Sequence, residues 1–143
     1  LLSGQVDLAV SNMPLVHPNL EARLLVKNAI VALVPVDHRL ATRSWVRPAE
    51  LVGEDLIGYG PDVPFGLLVH EMFGSEGNQP DMRVQVEQAH VARALAQAGA
   101  GIALVDAMTV FGQSWPNIVA VPEVKAHPAP DQFGHAAFPL PTT

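Results

Sequence analysis

The sequence contains no cysteine, a single tyrosine and only two tryptophans in 143 residues. Without cysteine it can build neither a disulfide framework nor a thiolate centre. With so few aromatic rings it has no ladder on which nucleic-acid bases could stack. Positive charge is scarce too. Eight Lys and Arg stand against fourteen Asp and Glu, leaving a formal net charge of −6. A mainly acidic surface repels phosphate, so this stretch is not expected to hold DNA or RNA itself. Long hydrophobic runs are missing as well. The longest, "AIVALVPV" at residues 29–36, has the length of a buried strand, whereas a bilayer span needs about 20 apolar residues. No basic, apolar start of the signal-peptide kind is present, which fits a cytoplasmic protein with no membrane attachment.

Catalytic signatures are also absent. There is no G-x-x-x-x-G-K phosphate loop and no G-x-S-x-G nucleophile elbow. Gly99-Ala100-Gly101 resembles half of a dinucleotide fingerprint. It follows a predicted helix and precedes a predicted strand, the reverse of the order that fingerprint requires. The six histidines are His17, His38, His70, His90, His127 and His135, and none pairs at a zinc-ligand spacing such as H-E-x-x-H. Lone carboxylates such as Asp7 and Asp55, near strand starts, read as turn formers rather than general acids. The sequence therefore points away from an enzyme. No catalytic residue, metal or cofactor is expected.

What the chain does have is apolar content. Hydrophobic residues make up 49% of it and charged residues 15%, enough for a folded core. It opens at "LLSGQVDLAV", read as a helix tail, a glycine stop at Gly4 and a strand over residues 6–10. A longer natural N-terminal part is therefore expected. Further strands are predicted in "AIVALV", "DLIGYG", "RVQVEQ", "IALV", "NIVAVP" and "FGHAAF". A single helical turn is predicted after Pro48, and a longer helix through "PDVPFGLLVHEMF", with Asp62 or a neighbour as cap. Another helix is predicted over residues 89–98, with Val91, Leu95 and Ala98 on one stripe and Gly99 as its left-handed stop. Strand–helix–strand alternation predicts an α/β fold, with a mainly parallel sheet and helices on its faces. Trp45 and Trp115 read as partial core plugs.

In open parallel sheets, ligands sit beyond the carboxyl ends of the strands. Several predicted strand ends carry suitable groups. Ser11 and Asn12 follow "LAV" and offer short polar side chains. "LIGY" runs into Gly60 and Pro61, then Phe65 at a helix start. Gly60 and Gly66 let a ligand approach the backbone, and the amides of residues 63–66 open a helix that favours a carboxylate or phosphate. Asp106 ends "IALV" and can accept hydrogen bonds from an ammonium group. Together these groups suit a small zwitterion or acid. Each also has a plainer reading. Ser11-Asn12 and Gly60-Pro61 are common turn pairs, and Asp106 is a preferred N-cap for "DAMTVFG". Both readings can hold at once, because caps often line pockets.

At these residues the sequence resembles the effector-binding domain of LysR-type transcriptional regulators. "LLSGQVDLAV" is similar to the family's leucine-rich helix end followed by G-x-hydrophobic-D-hydrophobic-A-hydrophobic. "AIVALVPVDHRLA" matches a strand ending in proline, then H-x-L-A. "AELVGEDLIGYG" and "AQAGAGIALVD" match two later landmarks, in the family's order. The resemblance implies a type II periplasmic-binding-protein-like α/β fold, with two Rossmann-like lobes joined by two crossovers near residues 35–38 and 122–127. Residues 1–36 and 124–143 would then contribute to lobe I, incomplete in this fragment, and residues 37–123 would form lobe II. The site residues it implies are Ser11, Asn12, Gly60, Pro61, Phe65 and, at a position where several members carry proline, Asp106. That aspartate resembles the subgroup responding to amino acids, opines or diaminopimelate.

The implied function is ligand sensing for a DNA-binding regulator. A small organic acid or amino-acid-like effector would bind between the lobes, in a homodimer or homotetramer. DNA would be held only through an N-terminal domain absent from this sequence. The alternatives are an extracytoplasmic solute-binding protein of the same fold, an enzyme on that fold, and a module that only oligomerises.

Overall fold

A computed structural model describes residues 1–10, 16–26 and 28–126. Its elements run β1 (Ile30–Pro35), α1 (Pro48–Leu51), β2 (Leu56–Gly58), α2 (Pro64–Ser75), β3 (Met82–Gln85), α3 (Ala89–Gln97), β4 (Ile102–Asp106), α4 (Ala107–Val110) and β5 (Ile118–Val121). All five strands form one sheet in the order β3-β2-β4-β1-β5. β2 pairs in parallel with β3 and β4. β1 pairs antiparallel with β4 and β5. The sheet is therefore mixed rather than mainly parallel, because the apolar run of β1 returns between two strands of opposite direction.

β1 reads as an uninterrupted apolar run because both its faces are covered. Ala32 and Val34 point to one side, where they pack with Leu56, Leu104, Leu51, Val69 and Phe73. Val31 and Leu33 point to the other, where they meet Ile57, Ala103, Val105, Ala92, Ala96 and Val110. Helices α1 and α2 thus close one face of the sheet, and α3 and α4 the other. On α2 the buried pair is Val69 and Phe73, one turn apart. On α3 it is Ala92 and Ala96. The stripe predicted there is rotated by one position. Val91 is exposed and Leu95 only packs at the edge, since two alanines let the helix backbone approach the sheet. Gly99 stops α3 at φ +85° as predicted, with Ala100 N–H reaching back to Leu95 O.

The strand predicted over residues 6–10 does not form: Val6, Leu8 and Val10 are exposed and pair with nothing among the described residues. A strand leaves its backbone groups unpaired without a neighbour, so alternation alone does not make one. The strand predicted in "FGHAAF" lies outside the described residues. Residues 35–38 lead out of β1. They form a turn closed by His38 N–H to Pro35 O, and the chain then puts Leu40 and Val46 into the same core as Val34. Val46 bridges to Val124, and Val124 N–H donates to Ile30 O at 2.7 Å, so the entering and returning chains meet beside β1. Among the described residues, no helix is long and apolar enough to cross a membrane.

Candidate functional site

The parallel strands β3, β2 and β4 end together. Gln85, the last residue of β3, pairs with Gly58, and Val86 N–H donates to Gly58 O. Beyond Gly58 the chain continues through Tyr59 and Gly60 into the turn that starts α2. Pro64 occupies the first helical position, where its missing N–H costs nothing. Val63, the N-cap, makes no side-chain cap, so the first-turn amides of Phe65 and Gly66 have no intrahelical acceptor. A Cβ on Gly66 would collide with the carbonyl of Gly60, so this turn closes only on glycine. The Asp62 carboxylate and the Gln85 side-chain amide lie against Gly60.

Two rings stand at this end. Tyr59 and Phe65 meet edge to face, with centroids 5.5 Å apart and planes at 79°. The neighbouring strand β4 ends at Asp106, half-buried, which caps α4 with both oxygens. Thr109 N–H donates to Oδ1 at 3.1 Å and Thr109 Oγ1 to Oδ2 at 2.7 Å. Burial first, and the Asp106 carboxylate second, raise the Tyr59 hydroxyl above its ordinary pKa near 10. The phenol and the carboxylate therefore sense each other across β2 and β4. Asp106 is also opposite Ile30, and Ala107 N–H donates to Ala29 O, where the chain enters the sheet.

Four of the six residues predicted for the site lie within the described structure. Gly60, Phe65 and Asp106 gather at the carboxyl ends of β2 and β4, with Tyr59 linking the last two. Pro61 is exposed in the turn between β2 and α2. Ser11 and Asn12 lie outside the described residues. The capping role of Asp106 holds. Tyr59, Gln85 and Thr109 were not singled out by sequence reasoning. The signal for Thr109 was its place three residues after a capping aspartate, and for Tyr59 an aromatic ring between two glycines at a strand end. The face offers a carboxylate, a phenol, a side-chain amide and the first-turn backbone N–H groups of α2, a set that can bind and orient a small polar molecule.

A family model of the LysR substrate binding domain matches residues 1–136. The chain belongs to that family. Among curated relatives of this LysR substrate binding domain, the HTH-type transcriptional regulator CbbR of Xanthobacter flavus is 26% identical over 135 residues. That covers 93% of this chain and 40% of CbbR. The HTH-type transcriptional regulator CatR of Pseudomonas putida is 29% identical over 109 residues, 75% of this chain and 37% of CatR. The chain thus spans about two fifths of the length of these relatives. The solved structure of the BenM effector binding domain with its effector benzoate superposes with a TM-score of 0.65. It is 26% identical and covers 78% of this chain and 51% of that one. The LysR-type, type II periplasmic-binding-protein-like fold is therefore the fold of this chain.

Proposed function

We propose that this chain is the ligand-sensing part of a LysR-type DNA-binding transcriptional regulator. It holds a small organic acid or amino-acid-like effector against the carboxyl ends of β2 and β4. The observation that carries this reading is the convergence of Tyr59, Gly60, Phe65, Gln85 and Asp106 at one end of the sheet in a chain of this family. The first-turn amides of α2 suit a carboxylate, and Asp106 suits an ammonium group. Ser11 and Asn12 belong to the same site in this reading, contributed by a first lobe. In this reading residues 1–36 and 124–143 belong to the first lobe and residues 37–123 form the second. The domain performs no chemistry of its own.

The mechanism is a population shift. A ligand touching both lobes favours one lobe arrangement by its differential affinity for the two. Ala107 N–H on Ala29 O ties the end of β4 to the entering segment, and Val124 N–H on Ile30 O ties the returning segment to the start of β1, so a ligand at Asp106 acts next to the pivot. In the whole protein this changes how a cytoplasmic homodimer or homotetramer grips DNA through a separate N-terminal reader. The test uses the full-length regulator with a panel of small organic acids and amino acids. An effector at about 100 times its Kd adds about 2.7 kcal/mol to stability, so it raises Tm and changes operator affinity together. A panel that stabilises the protein but never alters operator affinity would refute the sensing role.

A further inference from the structure

The far end of α2 borders a cavity of about 500 Å³ lined by His70, Gly74, Gly77, Asn78, Gln79 and Pro80. Along α2, at about 1.5 Å per residue, it runs from roughly 7 Å beyond Phe65, at His70, to the C-terminal end of the helix. Hydrogen bonds already made fix what this cavity offers. His70 Nδ1 lies 2.7 Å from the Gly66 carbonyl oxygen. A carbonyl can only accept, so Nδ1 carries the proton, and Nε2 of the neutral ring is an acceptor. Asn78 Nδ2 donates to Glu76 O at 3.3 Å, which leaves Oδ1 as an acceptor. Gln79 adds a second, exposed side-chain amide. No Lys or Arg lines the cavity, and the final carbonyls of α2 give this end a partial negative charge. A Cβ on Gly74 or Gly77 would meet nothing within 4 Å, so the floor is open backbone, and Pro80 makes an apolar wall.

Acceptors around an open floor suit a donor and not an anion. We propose that this cavity is a second small-molecule site, distinct from the strand-end face, that takes a primary alkylammonium. The ammonium donates to His70 Nε2 and to the side-chain carbonyl oxygens of Asn78 and Gln79. Its alkyl chain lies across Gly74 and Gly77 against Pro80. The test titrates the ¹⁵N-labelled chain with butylammonium chloride, following backbone amide shifts. The amides of Gly74, Gly77, Asn78 and Gln79 are expected to move and saturate. Butyrate, of opposite charge, and tetramethylammonium, which has no N–H, are expected to leave them in place. His70→Phe and Gln79→Leu each weaken butylammonium about tenfold, the loss of one charge-assisted hydrogen bond. Gln79 is exposed, so its variant keeps the test open whatever happens to the fold of His70→Phe. Unmoved amides, an equal response to tetramethylammonium, or undiminished binding by Gln79→Leu would overturn the assignment.

Discussion

Two glycines of α2 respond oppositely to the same substitution. In Gly66→Ala the new Cβ would meet the carbonyl oxygen and carbon of Gly60 and the carbonyl carbon of Tyr59. These are backbone atoms, so the β2–α2 turn must shift to admit it. Overpacking of that kind costs about 1–3 kcal/mol. In Gly74→Ala the new Cβ meets nothing within 4 Å, and Gly74 is not among the glycines at positive φ. Alanine there adds helix propensity and restricts the unfolded chain, for a gain of about 0.5–1 kcal/mol. Urea unfolding followed by far-ultraviolet circular dichroism separates the two. With a slope of about 1–3 kcal/mol per molar urea, the Gly66→Ala midpoint falls by roughly 0.5–2 M and that of Gly74→Ala rises by a few tenths. A Gly66→Ala midpoint equal to the parent's would show that the turn is not closed by contact between Gly60 and Gly66. The Tyr59–Gly60 geometry of the candidate site would then lose its basis.

Further outcomes follow from the same contacts. Tyr59 is the chain's single tyrosine, so tyrosinate absorbance reads it alone. Because its folded pKa is raised, its contribution is complete below about 10 and is lost as pH rises through the folded value. Asp106→Asn removes the second of the two causes and brings the titration down towards, but not to, the ordinary value. An unchanged midpoint in that variant would contradict the pairing. Thr109→Val removes the hydroxyl that Asp106 Oδ2 accepts and costs about 1 kcal/mol of stability in thermal melts, where a neutral result would argue against the cap. Phe73, fully buried against Val69 and the sheet, loses about 3–5 kcal/mol on replacement by alanine, and a loss below 1 kcal/mol by calorimetry would place it outside the core.

Much of this fold was legible because the local signals agreed. The run at residues 29–36 became a strand buried on both faces, and Gly99 stopped the helix before β4. Gly101 then brings the chain against Asp55, with Ile102 N–H donating to Asp55 O at 2.8 Å. That close approach is why the glycine pair precedes "IALVD". The direction of β1 was not legible. An apolar run has the same composition whether its neighbours are parallel or antiparallel, and only its antiparallel pairing with β4 and β5 reveals it. The helix stripe on α3 was misread for a related reason. Hydrophobicity ranks Val91 above Ala92, whereas close packing on the sheet selects the smaller side chain. At the site, Gly60, Phe65 and Asp106 could be placed from strand ends alone. Tyr59 and Gln85 could not, because their roles come from which strands lie side by side.

The strand-end face is tested most directly by amide shift mapping of the ¹⁵N-labelled chain against small carboxylic acids and amino acids. For any compound in that panel that raises Tm, residues 59–66 and 106–109 are expected to move first and to saturate together. Saturable shifts confined to the cavity at the end of α2, or to β5 at the opposite edge of the sheet, would contradict the site.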